Sequence, residues 1–124
     1  MYDKELALEI LIQLKSATET LIKRLETIHY VTDFTDSPEG MEKLDAACML
    51  LSAIGESVKK LDKVTNSDLL QNYFEVEWKK VMGLRDIIAH QYFDINAEAI
   101  YNVCKTKIKP LNYTINIIIS DLSK

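Results

Sequence analysis

The segment WKKVMGLRDIIAHQYFD, residues 78–94, joins a helical repeat to a cluster of chemically active side chains. Its apolar residues and one arginine recur at steps of three and four, which is the spacing of one face of an α-helix. The positions on this face are Trp78, Val81, Met82, Arg85, Ile88 and Ala89. Residues 93–96, Phe-Asp-Ile-Asn, interrupt the repeat. The pattern therefore predicts a helix that begins near Glu77 and ends close to His90.

Three side chains of this segment form the pattern R-x4-H-x-Y, namely Arg85, His90 and Tyr92. Arginine is a permanent cation whose planar fork of donors suits phosphate groups. Histidine takes or gives a proton near neutral pH. The tyrosine hydroxyl is a donor, an acceptor or a target for modification. Together these groups are suited to phosphodiester chemistry that does not use a metal ion.

Helical geometry limits how these side chains combine. At roughly 100° per residue, Tyr92 lies about 20° from Arg85, whereas His90 is turned away from Arg85 by about 140°. A straight helix therefore cannot easily aim Arg85 and His90 at one phosphate. Either the helix ends near His90, or an arginine and a histidine from two chains combine across a dimer, and both can hold.

Each of these side chains also has an ordinary structural interpretation. An arginine near a helix end usually makes a surface ion pair, and Asp86 or Asp94 is available as its partner. A histidine near a helix C-terminus is favoured by the helix dipole alone. A tyrosine near a helix end usually packs against neighbouring residues. The spacing by itself does not decide between these interpretations and a catalytic one.

The chain has 124 residues, which suggests a single domain spanning residues 1–124. It contains three Gly and two Pro, so few turns and long helices are expected. The net charge is −4, whereas general nucleic-acid binders are usually basic. Any RNA contact must therefore be local, and the acidic balance also leaves room for a basic protein partner.

Targeting and metal-binding signals are missing from the sequence. No apolar run approaches the ~18 residues of a membrane span. The charged first residues, MYDKE, do not resemble a signal peptide, so a cytoplasmic location is expected. Cys48 and Cys104 lie on apolar helix faces and are interpreted as free core thiols, although a disulfide between them is possible. His29 is interpreted as structural, and no metal or cofactor site is expected.

The remaining apolar patterns predict three more long helices. The first covers residues 3–28, and its second apolar face, Leu8, Ile12 and Ile22, suggests contact with another helix or another protomer. The second is expected to begin with Ser37 as its N-cap and to end near residue 61. Gly55 interrupts this second helix, which is typical of a position that another helix approaches closely.

The last helix is expected to follow a cap at Asp94 or Asn96 and to keep its apolar face from Ile100 to Leu122. Pro110 lies inside this pattern and should kink or split the helix. Because the apolar repeat resumes in phase after Pro110, a kink is the preferred expectation. No stretch alternates as a strand does, so the sequence predicts an all-α bundle of four to five helices with an up-and-down arrangement.

The pattern R-x4-H-x-Y resembles the signature of the HEPN superfamily, and in its extended form that of the HepT-like branch. Residues 53–57, Ala-Ile-Gly-Glu-Ser, resemble the I-G-E-A segment of that branch, and residues 78–92 resemble its third helical block. The match covers nearly the whole chain. Small departures are Val81 and Gly83 before the motif, and Ser57 where alanine is common.

The resemblance implies a HEPN-type bundle that forms a symmetric dimer with the motif at the interface. It also implies metal-independent cleavage of RNA, in which Arg85 clamps the phosphate and His90 transfers the proton. Asp86 would orient Arg85 or His90. Glu56 would be either a partner of Arg85 or a solvated residue.

The resemblance further implies a biological setting. HepT-like proteins are the toxins of bacterial and archaeal HEPN/MNT (type VII) toxin–antitoxin pairs. Their partner is a minimal nucleotidyltransferase that transfers AMP to the motif tyrosine, here Tyr92. The alternative is a HEPN module without catalysis, serving in protein interaction or RNA binding. The acidic charge and the lack of an extended basic patch fit that alternative as well.

Overall fold

The structure is a computed structural model that describes residues 2–90 and 92–124, with the backbone alone for Tyr92. The regular elements of these residues are all helical, which confirms the predicted all-α class. The α-helices are α1 Lys4–Arg24, α2 Thr32–Thr35, α3 Pro38–Val64, α4 Trp78–Met82, α5 Leu84–His90, α6 Ala97–Thr106 and α7 Ile108–Leu122. Single turns of 3-10 helix occupy Leu70–Asn72 and Tyr92–Asp94.

Helix α1 begins close to the predicted residue but ends earlier than predicted. The Asp3 carboxylate accepts a hydrogen bond from the Leu6 backbone N–H at 3.1 Å. The helix ends at Arg24 rather than at residue 28 because the chain turns there toward α2. The Asp33 carboxylate stabilises this turn by accepting from the backbone N–H groups of His29 and Tyr30, at 2.7 and 3.1 Å. These hydrogen bonds lower the pKa of the Asp33 carboxyl group, and the one from the His29 N–H has the larger effect.

Helix α3 begins as predicted and extends one turn further than predicted. The Ser37 hydroxyl caps it by accepting from the Gly40 N–H at 3.0 Å, and Pro38 stands at the first helical position. The helix ends at Val64, where Asn66 and Ser67 take left-handed backbone angles, with φ of 57° and 58°. Such a left-handed residue ends a helix because it turns the chain away from the helical path.

The predicted single helix around the motif is two short helices, α4 and α5, with Gly83 between them. Trp78 begins α4, and its indole N–H donates to the Tyr73 carbonyl at 2.8 Å. At the other end, α5 reaches His90 as predicted, and the turn at Tyr92–Asp94 is no longer α-helical. The site of the break is therefore close to the expected one, and Gly83 adds a second interruption.

The predicted last helix is also divided, and the preference for a kink at Pro110 was wrong. The structure has α6 and α7, separated at Lys107. Pro110 is the third residue of α7, in the first turn of a helix, where backbone N–H groups have no partner within the helix. Splitting the helix therefore accommodates the proline without loss of a hydrogen bond. Of the two predicted caps, Asn96 is the one used, since its side chain accepts from the Ala99 N–H at 3.1 Å.

The helices pack around one apolar core, with α3 at its centre. α1 packs against α3 and α7, while α4 and α5 pack against α3, and α6 contacts α3 and α7. The second apolar face of α1 is partly used, because Ile22 packs against the core whereas Ile12 is exposed. The largest fully buried side chains are Phe34, Leu11, Leu14, Leu21, Leu51, Ile54, Leu61, Leu70, Ile108, Ile115, Ile118 and Val58.

The two cysteines are free thiols in the core, as expected. Burial raises the pKa of Cys48 to about 11 and that of Cys104 to about 12. In the part of the chain that the structure describes, no helix has both the length and the apolar character of a membrane span.

Candidate active site

The helices that carry the motif region, α4 and α5, contact α3 at Gly55. A Cβ atom at this glycine would lie 2.8 Å from the Val81 carbonyl oxygen and 3.3 Å from the Arg85 backbone nitrogen. Only glycine therefore lets the junction of α4 and α5 approach the α3 backbone this closely. The predicted close approach of another helix at Gly55 is confirmed, and it places Arg85 beside Glu56, the next residue of α3.

Arg85 lies between two carboxylates. Its Nε is 4.0 Å from Glu56 Oε1, and one terminal nitrogen is 3.5 Å from Asp86 Oδ1. The three side chains are 52%, 53% and 53% exposed. Ion pairs of this length and exposure contribute roughly 0–1 kcal/mol. The guanidinium group is therefore held loosely, and a substrate phosphate can compete for it.

These contacts bear on two alternatives that the sequence left open. Asp86, rather than Asp94, is the neighbouring acid that pairs with Arg85. Glu56 lies 4.0 Å from Arg85 Nε, within ion-pair distance, while its side chain stays half exposed.

His90 is oriented by the backbone of Asp86. Its Nδ1 lies 2.7 Å from the Asp86 carbonyl oxygen. A carbonyl oxygen only accepts hydrogen bonds, so Nδ1 must carry the proton. In the neutral ring, Nε2 then holds the lone pair and is the atom that can take a proton from a substrate. The ring is exposed, which leaves Nε2 accessible to a large ligand.

Asp86 thus contacts both motif residues, one through each of its polar groups. Its carboxylate faces Arg85, and its carbonyl oxygen faces His90. The carbonyl contact has no signature in the sequence, because it depends on the rotamer of the histidine ring and not on the residue type at position 86.

Arg85 and His90 lie in the same helix, α5, and therefore keep the angular separation of about 140° expected from the helical repeat. A cavity of about 370 Å³ lies nearby, between α4–α5 and the junction of α6 with α7. Leu84 lines this cavity, but neither Arg85 nor His90 does.

Exposed apolar side chains flank the motif. Ile87 of α5 is 54% exposed, Phe93 beyond it is 97% exposed, and Met49 of α3 is 76% exposed. Met49 and Glu56 are seven residues apart and so lie on one face of α3. Apolar surface that is exposed to solvent in a single chain therefore borders the motif.

The side chain of Tyr92, the predicted modification target, lies outside the part of the chain that the structure describes. Within residues 2–90 and 92–124, no three His, Cys, Asp or Glu side chains are grouped so that they could hold a metal ion.

Comparison with known proteins identifies the family. The sequence profile described as "Ribonuclease HepT-like" matches residues 8–118 of the chain. Putative RNase MJ0127 of Methanocaldococcus jannaschii is 34% identical over 104 residues, which cover 79% of the chain and 83% of that protein. Putative RNase TTE0752 of Caldanaerobacter subterraneus is 32% identical over 93 residues, which cover 75% and 76%. No solved structure matches the chain significantly.

The family profile and these relatives support a ribonuclease activity. The profile spans nearly the whole chain, and the relatives cover most of it. The chain therefore belongs to the HepT-like ribonuclease family of the HEPN superfamily.

Proposed function

We propose that the chain is a metal-independent endoribonuclease whose site is formed by Arg85 and His90 from two copies of the chain. The observation that carries this proposal is the 2.7 Å contact between His90 Nδ1 and the Asp86 carbonyl oxygen. It leaves His90 Nε2 unprotonated in the neutral ring and exposed, as a general base requires.

In the proposed reaction, His90 Nε2 takes the proton of a ribose 2′-hydroxyl. The 2′-oxygen then attacks the adjacent phosphorus, the bond from phosphorus to the 5′-oxygen breaks, and the leaving oxygen takes a proton from an imidazolium group or water. The products are a 2′,3′-cyclic phosphate and a 5′-hydroxyl. Positioned proton transfer of this kind typically contributes about 10²–10⁴-fold in rate.

Arg85 stabilises the charge that grows on the phosphate oxygens during this attack. Its fork of N–H donors matches two oxygens of one phosphate. Its contacts with Glu56 and Asp86, at 4.0 and 3.5 Å, are long enough that a phosphate at hydrogen-bond distance replaces them favourably. Before RNA binds, the two carboxylates orient the guanidinium group.

Two observations support a site shared between copies. Arg85 and His90 of one chain point away from one another around α5, so a second chain is needed to complete one site. The motif is bordered by Ile87, Phe93 and Met49, which a symmetric partner would cover. In a two-fold dimer the same patch meets itself, so both motifs lie in one cleft and supply acid, base and two clamps.

We also propose that the chain is the toxin of a HEPN/MNT pair in the cytoplasm. Its antitoxin, a minimal nucleotidyltransferase, would transfer AMP to Tyr92. The added group carries a negative phosphate and considerable bulk close to Arg85 in sequence. It would compete with the RNA phosphate for that cation and inactivate the protein.

Incubation of the chain with the partner and ATP should add one AMP by intact mass, and Tyr92→Phe should abolish the addition. Undiminished cleavage by the modified chain would contradict this role.

The ribonuclease proposal is tested by RNA cleavage in the presence of a metal chelator. The wild-type chain, His90→Ala and His29→Ala are purified identically, since His29 is the other histidine of the chain and is also exposed. We expect wild type and His29→Ala to yield 2′,3′-cyclic phosphate ends and His90→Ala to yield none. Equal cleavage by all three, or products with a 5′-phosphate, would refute the mechanism. RNA binding without cleavage by wild type would identify the chain as a binding module.

A further inference from the structure

The second half of α3 carries three lysines on its outer face, Lys59, Lys60 and Lys63. Successive helical positions turn by roughly 100°, so all three lie within about 60° of Glu56 around the helix. Glu56 is the α3 residue that pairs with Arg85. The lysines therefore share the face of α3 that borders the candidate active site.

These lysines have no carboxylate partner among the described residues, although the chain is acidic overall. All three are exposed, and none takes part in an ion pair. Lys15, Lys80, Lys107 and Lys124, by contrast, each pair with a Glu or Asp. Asp62, which lies between the lysines in sequence, is turned by about 120° from Glu56 around the helix. The result is a local cationic face on a molecule of net charge −4.

The helix dipole accounts for only one of these cations. It favours positive charge within the last turn of a helix, which in α3 contains Lys63 but not Lys59 or Lys60. The cationic face also begins close to the motif. Lys59 to Lys63 follow Gly55 by four to eight residues, or about 6–12 Å along the axis. Gly55 is the position where the Arg85 backbone meets α3.

We propose that Lys59, Lys60 and Lys63 bind the phosphates of single-stranded RNA and lead the strand into the site of Arg85. This inference rests on the proposed ribonuclease function. Phosphate neutralisation by Lys and Arg supplies most of the sequence-independent affinity for nucleic acid. Arg85 is a single cation flanked by two carboxylates, so one phosphate contact there supplies only a small part of the affinity for an RNA strand. The outer face of α3 is thus divided at Glu56, with apolar Met49 toward one end and the phosphate-binding lysines toward the other.

Salt-dependent binding of RNA tests this proposal. A 5′-fluorescein-labelled single-stranded RNA is titrated with His90→Ala protein, which we expect to bind without cleaving, and anisotropy is followed between about 50 and 200 mM salt. The same titration is made with His90→Ala carrying Lys59→Gln, Lys60→Gln and Lys63→Gln. Each phosphate contact to a single strand contributes about 0.7 to the slope of log affinity against log salt. The triple substitution should therefore lower the slope by about two units and weaken binding at low salt at least about tenfold.

The matched control carries Lys4→Gln, Lys23→Gln and Lys109→Gln, which remove the same charge from exposed, unpaired positions of α1 and α7. It should keep the parent slope, and circular dichroism should show all three proteins equally folded. Equal effects of the two triple substitutions, or no RNA binding by His90→Ala, would contradict the proposal that the three α3 lysines bind RNA. If wild type still cleaves RNA in that case, the ribonuclease proposal stands. Lysine-dependent binding by a chain that never cleaves would overturn the ribonuclease proposal alone.

Discussion

Asp86 illustrates how one residue serves a site through two chemically different groups. Its carboxylate is 3.5 Å from Arg85, and its carbonyl oxygen is 2.7 Å from His90 Nδ1. Only the first contact depends on the side chain. The residue type at position 86 and the orientation of His90 are therefore separable, and substitution of Asp86 distinguishes their contributions.

We predict that Asp86→Asn retains RNA cleavage within roughly fivefold of wild type, because an exposed ion pair contributes about 0–1 kcal/mol. The backbone carbonyl oxygen at position 86 would still hold the proton on Nδ1 of His90 in this variant. Single-turnover cleavage rates of the variant and of wild type provide the measurement, with Arg85→Ala as the inactive reference. A loss of about 10²-fold or more, the scale of proton-transfer catalysis, would mean that the Asp86 carboxylate takes part in the chemistry.

The two core thiols lead to a prediction about reactivity. Burial raises the pKa of Cys48 to about 11 and of Cys104 to about 12, and the thiolate is the reactive form. Neither cysteine should be alkylated by iodoacetamide at pH 8 in the folded chain, whereas both should react after unfolding in urea. The folded pKa values lie above the ordinary value of 9.0. The contribution of these two thiols to the free energy of unfolding is therefore complete below pH 9.0 and is lost as the pH rises through about 11 and about 12. Rapid labelling of the native chain would contradict the buried placement.

At the scale of elements, glycines at two positions have opposite roles. Gly55 is required for contact, since a Cβ atom there would lie 2.8 Å from the Val81 carbonyl oxygen. Gly83 is not, since its nearest neighbours, the Lys79 and Lys80 carbonyl oxygens, would be 3.5 and 3.6 Å away. Its φ of −79° is also ordinary for any residue.

We therefore predict that Gly55→Ala displaces α5 and lowers cleavage, with a cost of about 1–3 kcal/mol from overpacking that the helix propensity of alanine only partly offsets. Gly83→Ala is the matched control and should stabilise the chain by about 0.4–1 kcal/mol with cleavage retained. Urea unfolding and cleavage assays of both variants test the pair. A Gly55→Ala chain as stable and active as wild type would show that the helices are not in contact there.

The elements themselves were largely predictable because local chemistry defines them. Ser37 and Asp3 cap helices by hydrogen bonds to residues three positions away, which the sequence displays directly. The early end of α1 was missed because it depends on Asp33, whose carboxylate stabilises a turn beyond the helix while the apolar repeat continues. The division of the last helix was one of two predicted outcomes but not the preferred one, since an apolar face that stays in phase conceals the one-residue break at Lys107.

The candidate site was less predictable than the fold. The motif residues were chosen from their spacing together with the resemblance to the HepT-like branch, but the contact of His90 with a carbonyl oxygen could not be predicted, because any residue supplies that atom. The lysines of α3 were not recognised as a group either. Glu56 and Asp62 are interspersed with them in the sequence, and only the helical repeat separates Lys59, Lys60 and Lys63 from Asp62.

A site shared between two chains requires a dimer that covers the motif. Ile87 beside the motif is 54% exposed and Ile12 of α1 is 56% exposed, so the two are matched in residue type and exposure. We predict that Ile87→Lys lowers dimerisation by at least about tenfold, because a buried lysine without a partner is costly at an interface. Ile12→Lys should leave it unchanged. Sedimentation velocity of both variants decides the matter, and the reverse pattern would place the dimer interface on α1.

Complementation between two inactive variants tests the shared site most directly. Arg85→Ala and His90→Ala chains are mixed in denaturant, refolded together and assayed for RNA cleavage in a chelator, beside each variant refolded alone. Random pairing makes half of the dimers mixed. The shared cleft of a mixed dimer keeps one of its two Arg85 side chains as clamp and one of its two His90 side chains as base, on different chains, and water then protonates the leaving oxygen. We predict that the mixture recovers up to about a quarter of wild-type cleavage while each variant alone stays inactive. A mixture as inactive as the separate variants would contradict a site built from two copies.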